Sequence, residues 1–169
     1  MPHRKSLRCA IAIFVLGCAG AVSADGTPSM QETAEWLFSA IKGETETGAW
    51  MNTHDIDRLS CNSINYNMQR FLAGSWSEGY ERGHFKWSPG DVKYRSSDPV
   101  DGMTFVIVEC VAEPCISVQT KTVKEGVVVK EAKSTLTAIK MWTEMPASRV
   151  AKALNHHQSL CGGAKASPF

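Results

Sequence analysis

Between Ser29 and Gly43, apolar residues recur at the spacing of an amphipathic helix. Ser29 and Glu32 form an S-x-x-E capping box, a pattern that satisfies backbone N–H groups at the start of a helix. The apolar positions that follow at helical spacing are Met30, Ala34, Leu37, Phe38 and Ile41. The pattern predicts a first helix, which ends at Lys42 and Gly43.

A second helix is predicted near the C-terminus. Pro146 stands where the first turn of a helix accepts proline, and Gly162 and Gly163 end the pattern. The residues between them at the helical spacing i, i+4, i+7 and i+11 are Val150, Leu154, His157 and Cys161. One face of this helix is therefore expected to pack against the rest of the domain.

The chain between residues 49 and 142 contains short runs rich in Val, Ile, Thr and aromatic residues. Residues 64–69 alternate apolar and polar side chains, whereas residues 103–111 are apolar on both faces and predict a central strand. Turn signals separate the runs, at residues 88–91, 98–99, 101–102, 113–114 and 125–126. The pattern predicts about six or seven antiparallel strands.

This order of elements predicts an α+β fold. We expect a bent antiparallel sheet or open barrel of about six to seven strands, with an N-terminal helix and a packed C-terminal helix. The layout is like that of the pleckstrin-homology domain. Residues 25–163 are expected to form a single domain, and residues 164–169 a flexible tail.

The first residues have the features of a secretory signal peptide. Basic residues precede an apolar run from Cys9 to Leu16, and small residues then lead to Ala24. We therefore expect residues 1–24 to be removed after Ala24, and the mature chain to be periplasmic or secreted. The apolar run is shorter than the ~20 residues that a transmembrane helix needs, and no later apolar run reaches that length, so no transmembrane segment is expected in the mature chain.

An alternative maturation site lies inside the same segment. Val15-Leu16-Gly17-Cys18 resembles a lipoprotein box, in which Cys18 carries the lipid and becomes the mature N-terminus. A lipoprotein anchored at Cys18 is therefore the alternative to soluble release after Ala24.

The charge of the predicted mature chain argues against two kinds of partner. Without Arg4, Lys5 and Arg8, 15 basic side chains remain against 17 acidic ones, a net charge of −2. Nucleic-acid binding requires a basic surface, and anionic membranes attract clustered Lys and Arg; the sequence has neither. We therefore expect no nucleic-acid partner.

Four cysteines belong to the predicted mature chain: Cys61, Cys110, Cys115 and Cys161. In an oxidising compartment an even set indicates disulfides, and four cysteines allow three pairings. If Cys110 and Cys115 face each other across a hairpin, Ile107 lies opposite Val118 on one apolar face. This register predicts the disulfides Cys110–Cys115 and Cys61–Cys161. The alternative, a zinc site, lacks the usual pairs of closely spaced ligands.

Three short features resemble small uncharacterised periplasmic proteins of Gram-negative bacteria. They are Trp36-Leu37, the strand ending at Cys110 with Cys115-Ile116 after it, and Ala153-Leu154-Asn155-His156 leading to Leu160-Cys161-Gly162. The resemblance implies a location in the cell envelope and a fold, and it implies no activity.

The sequence contains few groupings that point to catalysis. His54, Asp55 and Asp57 bring an imidazole near two carboxylates, but on a strand the carboxylates share one face and His54 points to the other. The adjacent His156 and His157 diverge by about 100° on a helix and cannot easily share a metal ion. The sequence contains no nucleophile elbow, phosphate-binding loop or dinucleotide fingerprint. We therefore expect no cofactor and no metal, and the sequence favours a non-enzymatic role.

Residues 74–87 interleave aromatic, charged and glycine residues between two predicted strands. On a loop, such side chains would stack on a sugar or anchor a partner; the candidates are Trp76, Tyr80, Glu81, Arg82 and His84. In the competing interpretation the segment is a long hairpin whose aromatic residues pack back on the sheet, as the alternation of Phe85 and Trp87 indicates.

The leading hypothesis is a non-enzymatic periplasmic module that binds an envelope protein or glycan. One alternative is a small envelope hydrolase that uses the region of His54, Asp55 and Asp57. Another is an inhibitor or immunity protein that acts on a cell-wall enzyme.

Overall fold

The computed structural model describes residues 26–47, 49–72, 79–99, 103–125 and 127–162. The predicted signal peptide, its cleavage site at Ala24 and the alternative lipidation site Cys18 lie outside the described residues. The predicted tail and the candidate binding residue Trp76 lie outside them as well.

The described residues form two helices and nine strands, with a short 3₁₀ turn at Pro89–Asp91. In chain order the elements are α1 Met30–Ile41, β1 Gly43–Thr47, β2 Trp50–Leu59, β3 Ile64–Leu72, β4 Tyr80–Trp87, β5 Val92–Ser96, β6 Val106–Cys110, β7 Ile116–Lys124, β8 Val127–Leu136, β9 Ala138–Met141 and α2 Ala147–Leu160. All strand pairings among them are antiparallel.

The strands divide into two sheets. Six form a sheet in the order β1-β2-β3-β4-β7-β8, and three form a second sheet in the order β5-β6-β9. The predicted α+β class, with a helix at each end of the domain and an open antiparallel sheet, is confirmed. The described part of the chain has more strands than the pattern indicates, because a strand such as β1, with the sequence GETET, contains no apolar residue to reveal it.

The predicted capping box sets the start of α1. The Glu32 backbone N–H donates to Ser29 Oγ at 3.2 Å, and the Ser29 N–H donates to Glu32 Oε2 at 2.8 Å. These hydrogen bonds with Ser29 hold the pKa of Glu32 below its ordinary value. Leu37 and Ile41 are fully buried on the inner face of the helix, whereas Phe38, which the spacing places on the apolar face, is 38% exposed.

The core lies where the two helices meet the two sheets. α1 packs against α2 and β2, and α2 packs against β5 and β6. Val150 and Leu154 of α2 are fully buried, as their helical spacing predicts. The C-terminal helix therefore closes the core against the second sheet.

Two hydrogen bonds to the hydroxyls of buried tyrosines connect the sheets. Trp87, at the end of β4, donates its Nε1 hydrogen to the Tyr94 hydroxyl of β5 at 3.0 Å. The Tyr66 hydroxyl of β3 accepts a hydrogen bond from the backbone N–H of Trp142, which follows β9, at 3.2 Å. Burial raises the pKa of both tyrosines above the ordinary value, so both hydroxyls are neutral at physiological pH.

Both predicted disulfides are present. Cys61, between β2 and β3, is bonded to Cys161 at the end of α2, and Cys110 is bonded to Cys115. The hairpin register that predicts the second pair is wrong, because β6 pairs with β5 and β9 whereas β7 pairs with β4 and β8. The Cys110–Cys115 bond therefore lies where the chain passes from one sheet to the other.

The disulfides agree with an oxidising compartment. In the part of the chain that the structure describes, neither helix has the length and apolar character needed to cross a membrane.

Candidate functional site

The six-stranded sheet has one face toward the core and an opposite face that is largely polar. We name the second the polar face. Its central row of side chains lies in direct register across five strands and consists of Asp55, Asn67, His84, Gln119 and Lys133. The neighbouring row on the same face consists of Thr53, Gln69, Arg82, Lys121 and Glu131. The two rows bring together residues that are far apart in the sequence.

An apolar row borders these two polar rows. It consists of Met51, Phe71, Tyr80, Val123 and Val128. Phe71 and Val123 are buried, and Tyr80 is half-buried. The polar face thus has an aromatic and aliphatic border at one end, next to Arg82, whose guanidinium carbon lies 5.6 Å from the centroid of the Tyr80 ring.

Asn67 is the hub of a hydrogen-bond network on the polar face. Its Nδ2 donates to Asp55 Oδ1 at 2.8 Å and to Asp57 Oδ2 at 3.1 Å. A β-bulge between Ile56 and Arg58 leaves Asp57 as the extra residue of β2. Both carboxylates therefore reach the same amide group, although only Asp55 lies directly opposite Asn67.

The network also fixes the proton on His84. Ionised carboxylates only accept hydrogen bonds, so Asn67 must turn its Nδ2 toward Asp55 and Asp57 and its Oδ1 toward His84. Asn67 Oδ1 lies 2.6 Å from His84 Nδ1, and Nδ1 must donate to it. The neutral ring therefore carries its proton on Nδ1 and leaves the Nε2 lone pair available to a ligand.

A shallow depression covers this network. Its volume is about 500 Å³, and the residues that line it are Asp55, Asp57, Asn67, Gln69, Arg82, His84, Gln119 and Lys121. The acidic side chains lie on β2 and the basic side chains on β4 and β7. The depression therefore offers hydrogen-bond acceptors on one side and donors on the other.

Three of the five predicted binding residues lie on the polar face. Tyr80, Arg82 and His84 alternate along β4 and share this face, and Glu81 points to the opposite one. The structure places them on a strand rather than on a loop, since β4 begins at Tyr80. Trp76, the fifth residue, lies outside the described residues.

His54 does not join the carboxylates beside it in the sequence. Asp55 and Asp57 share the polar face, whereas His54 points into the core and is 3% exposed. This is the separation that strand alternation predicts. His84, from a different strand, supplies the imidazole of the site instead.

Both ring nitrogens of His54 are buried and have no hydrogen-bond partner among the described residues. Burial lowers the pKa of His54, and the nearby carboxylates of Glu144 and Asp55 only partly oppose this effect. His157, which is 1% exposed, has its pKa lowered by burial and by the neighbouring His156. Both rings are therefore held neutral in the folded protein.

We expect the free energy of unfolding to decrease as the pH falls below about 6.5, the pKa of an unfolded histidine. The unfolded chain binds protons at His54 and His157 in that range, and the folded chain resists them. Urea unfolding at pH 7.5 and 5.5 will measure the loss. His54→Leu should make the loss smaller and should leave the stability at pH 7.5 unchanged or higher, because it removes buried polar atoms without partners. If the free energy of unfolding falls by the same amount in the variant and in the wild type, His54 does not contribute to the pH dependence.

Four residues of the depression are not predicted from the sequence as site residues: Asn67, Gln69, Gln119 and Lys121. Their one signal in the sequence is the alternation of polar side chains along β3 and β7. Such alternation shows that a face is polar, but it does not show which strands lie side by side. In the described ranges, no group of three or more His, Cys, Asp or Glu side chains is placed to hold a metal ion.

The fold and the site therefore define an α+β, disulfide-bonded domain with a hydrogen-bonding depression on one sheet face. Comparison with protein-family models, curated proteins and solved structures finds no match to this chain.

Proposed function

We propose that this protein is an exported, non-enzymatic binding module of the periplasm, and that it binds an envelope glycan on the polar face. The observation that carries the proposal is the Asn67 network. It holds two carboxylates and an imidazole in fixed positions at the base of one depression. Side chains that are already hydrogen-bonded lose little conformational freedom when a ligand binds.

The chemistry of the depression matches a ligand rich in hydroxyl groups. A sugar hydroxyl both donates and accepts, so it can bind a carboxylate of Asp55 or Asp57 and the Nε2 lone pair of His84. Arg82 and Lys121 add charged donors, which form the stronger kind of hydrogen bond. The half-buried ring of Tyr80 borders the site and provides an aromatic surface for a sugar.

The size of the depression agrees with this ligand class. Its volume of about 500 Å³ lies within the range of roughly 300 to 1,000 Å³ for small-molecule sites. The lining is polar rather than aromatic or aliphatic, so a hydrophobic ligand would leave its charged groups without partners.

The export part of the proposal rests on two features. The disulfides agree with an oxidising compartment, and the first residues have the pattern of a signal peptide. The intact mass of the protein recovered from the whole cell envelope, measured with and without reduction, tests both features. A start at Asp25 with two disulfides supports cleavage after Ala24, and a lipidated start at Cys18 supports the lipoprotein alternative.

The binding proposal is tested by titrating the purified protein with oligosaccharide fragments of peptidoglycan and measuring the heat of binding. Asn67→Ala should lower the affinity at least about tenfold, because it releases Asp55, Asp57 and His84 from their shared partner. Asn65→Ala is the matched control, since Asn65 lies on the same strand, two residues away, and outside the lining of the depression.

Equal affinities of the two alanine variants would overturn the assignment of the site. Thermal unfolding of both variants separates a loss of binding from a loss of fold. If the wild type binds no glycan fragment, the ligand class is wrong.

A small envelope hydrolase is the second candidate, and one observation favours it. Asp55, Asp57 and His84 converge in one depression, with Nε2 of His84 available as a general base. This candidate requires turnover, whereas the binding module does not. Release of new reducing ends by the wild type, and its loss in His84→Gln, would support the hydrolase; binding without turnover supports the module.

A further inference from the structure

β8 forms one edge of the six-stranded sheet. It spans Val127–Leu136, and all ten of its side chains are exposed. On one side it pairs with β7, and the order of the described sheet ends with β8. The opposite edge strand, β1, is half as long, with five residues. The free side of β8 is therefore the longest row of backbone donors and acceptors available to a further strand.

The apolar content of β8 is high for an exposed strand. Val127, Val128 and Val129 are 63%, 49% and 54% exposed, and Leu136 is 37% exposed. Four large aliphatic side chains on one free edge would lose contact with water if another strand were added. Addition of a strand to an edge is also a common way in which proteins recognise extended segments.

We propose that β8 pairs with β8 of a second copy of this chain, so that two protomers form a dimer with one continuous sheet. The charges on β8 are complementary to those of a second β8 strand, which is why we choose a second copy of the chain as the partner. A twofold axis perpendicular to the sheet places the two copies of β8 antiparallel and keeps corresponding faces on the same side. When the axis passes through Ala132, Glu131 of each copy lies opposite Lys133 of the other.

The neighbouring registers are less favourable. An axis through Lys130 or Lys133 places two lysines directly opposite each other, and an axis through Glu131 does the same with two glutamates. With the axis at Ala132, the central residue is small and allows close approach, and Lys130 lies opposite Ser134. One register is thus selected by two identical charge pairs.

The remainder of the strand limits other associations. Lysines on an edge oppose indiscriminate pairing, and a β-bulge at Val129 of β8 interrupts the regular ladder between Val128 and Lys130. The segment from Lys130 to Leu136, which follows the interruption, is regular. The centre of the dimer therefore lies in the regular part of β8, with the aliphatic side chains on either side of it.

Charge exchange between the two positions tests the dimer. Sedimentation velocity of the wild-type protein over a dilution series should show a monomer–dimer equilibrium. Glu131→Lys and Lys133→Glu should each raise the dissociation constant at least about tenfold, since each converts two attractive pairs into two repulsive ones. The double variant Glu131→Lys/Lys133→Glu restores opposite charges and should return the dissociation constant to near the wild-type value.

Lys130→Glu is the matched control for Lys133→Glu, because both variants change the net charge by the same amount. It should leave the dissociation constant nearly unchanged, since Lys130 lies opposite an uncharged residue in the proposed register. The proposal is overturned if the wild type is monomeric throughout the dilution series. It is also overturned if the dissociation constant of the double variant is no lower than those of the single variants. An equal effect of Lys130→Glu and Lys133→Glu would show a general charge effect and overturn the register.

Discussion

Replacement of both Cys61 and Cys161 by serine will lower the free energy of unfolding by about 4 to 5 kcal/mol under oxidising conditions. The disulfide joins residues 100 positions apart and so restricts the unfolded chain strongly. It also ties the end of α2 to the β2–β3 connection, so the helix that closes the core loses its covalent attachment in the variant. Urea unfolding monitored by tryptophan fluorescence will measure the change.

The second disulfide provides the internal comparison. Cys110 and Cys115 are separated by 5 positions, and the chain-entropy relation then gives a contribution of about 2 kcal/mol. Serine at both of these positions should therefore cost about half as much as serine at Cys61 and Cys161. A smaller loss for the long-range pair than for the short one would contradict the entropic explanation.

Trp87→Ala is expected to have the second largest effect, a loss of about 3 to 5 kcal/mol. The side chain of Trp87 is 2% exposed, and its Nε1 donates to the buried hydroxyl of Tyr94 in the other sheet. The variant leaves a cavity and removes a hydrogen bond between the sheets. Thermal and urea unfolding will measure the loss.

Two further variants separate the contribution of side-chain burial at Trp87 from that of its hydrogen bond to Tyr94. Trp50→Ala is the matched control on the same sheet, because Trp50 is 37% exposed, and it should cost less than about 1 kcal/mol. Tyr94→Phe keeps most of the volume and removes the acceptor of the Trp87 hydrogen bond, and it should cost about 1 to 3 kcal/mol. Similar losses for Trp50→Ala and Trp87→Ala would contradict the packing that the structure shows.

The elements with local signals in the sequence were predictable. The capping box of Ser29 and Glu32 and the spacing of Val150 and Leu154 are properties of short segments, and both agree with the structure. The same is true of the opposite directions of His54 and Asp55, which follow from strand alternation alone.

The division of the strands into two sheets was not predictable. Ile107 and Val118 fit one apolar hairpin face, but they lie in separate sheets, where Val118 is buried and Ile107 is half-buried. Hydrophobic patterning does not specify the partner strand. The cysteine pairing was nevertheless correct. With four residues between them, Cys110 and Cys115 lie close in space whether or not their strands pair.

The candidate site was predictable only in part, for the same reason. Asp55, Asp57, Arg82 and His84 attract attention by residue type, and their common face follows from alternation within each strand. Their meeting point depends on Asn67, whose strand lies between β2 and β4. An asparagine in an alternating strand has no feature that distinguishes it from any other exposed polar residue.

The bond between Cys61 and Cys161 also determines how the domain responds to a protease. Seven of the nine described strands, β3 to β9, lie within the closed segment, together with α2. A single cut anywhere in that segment leaves the two pieces covalently joined, so they refold as one molecule and do not need to find each other by diffusion. Nicked protein should therefore keep its full mass on a non-reducing gel and separate into fragments only after the disulfide is reduced.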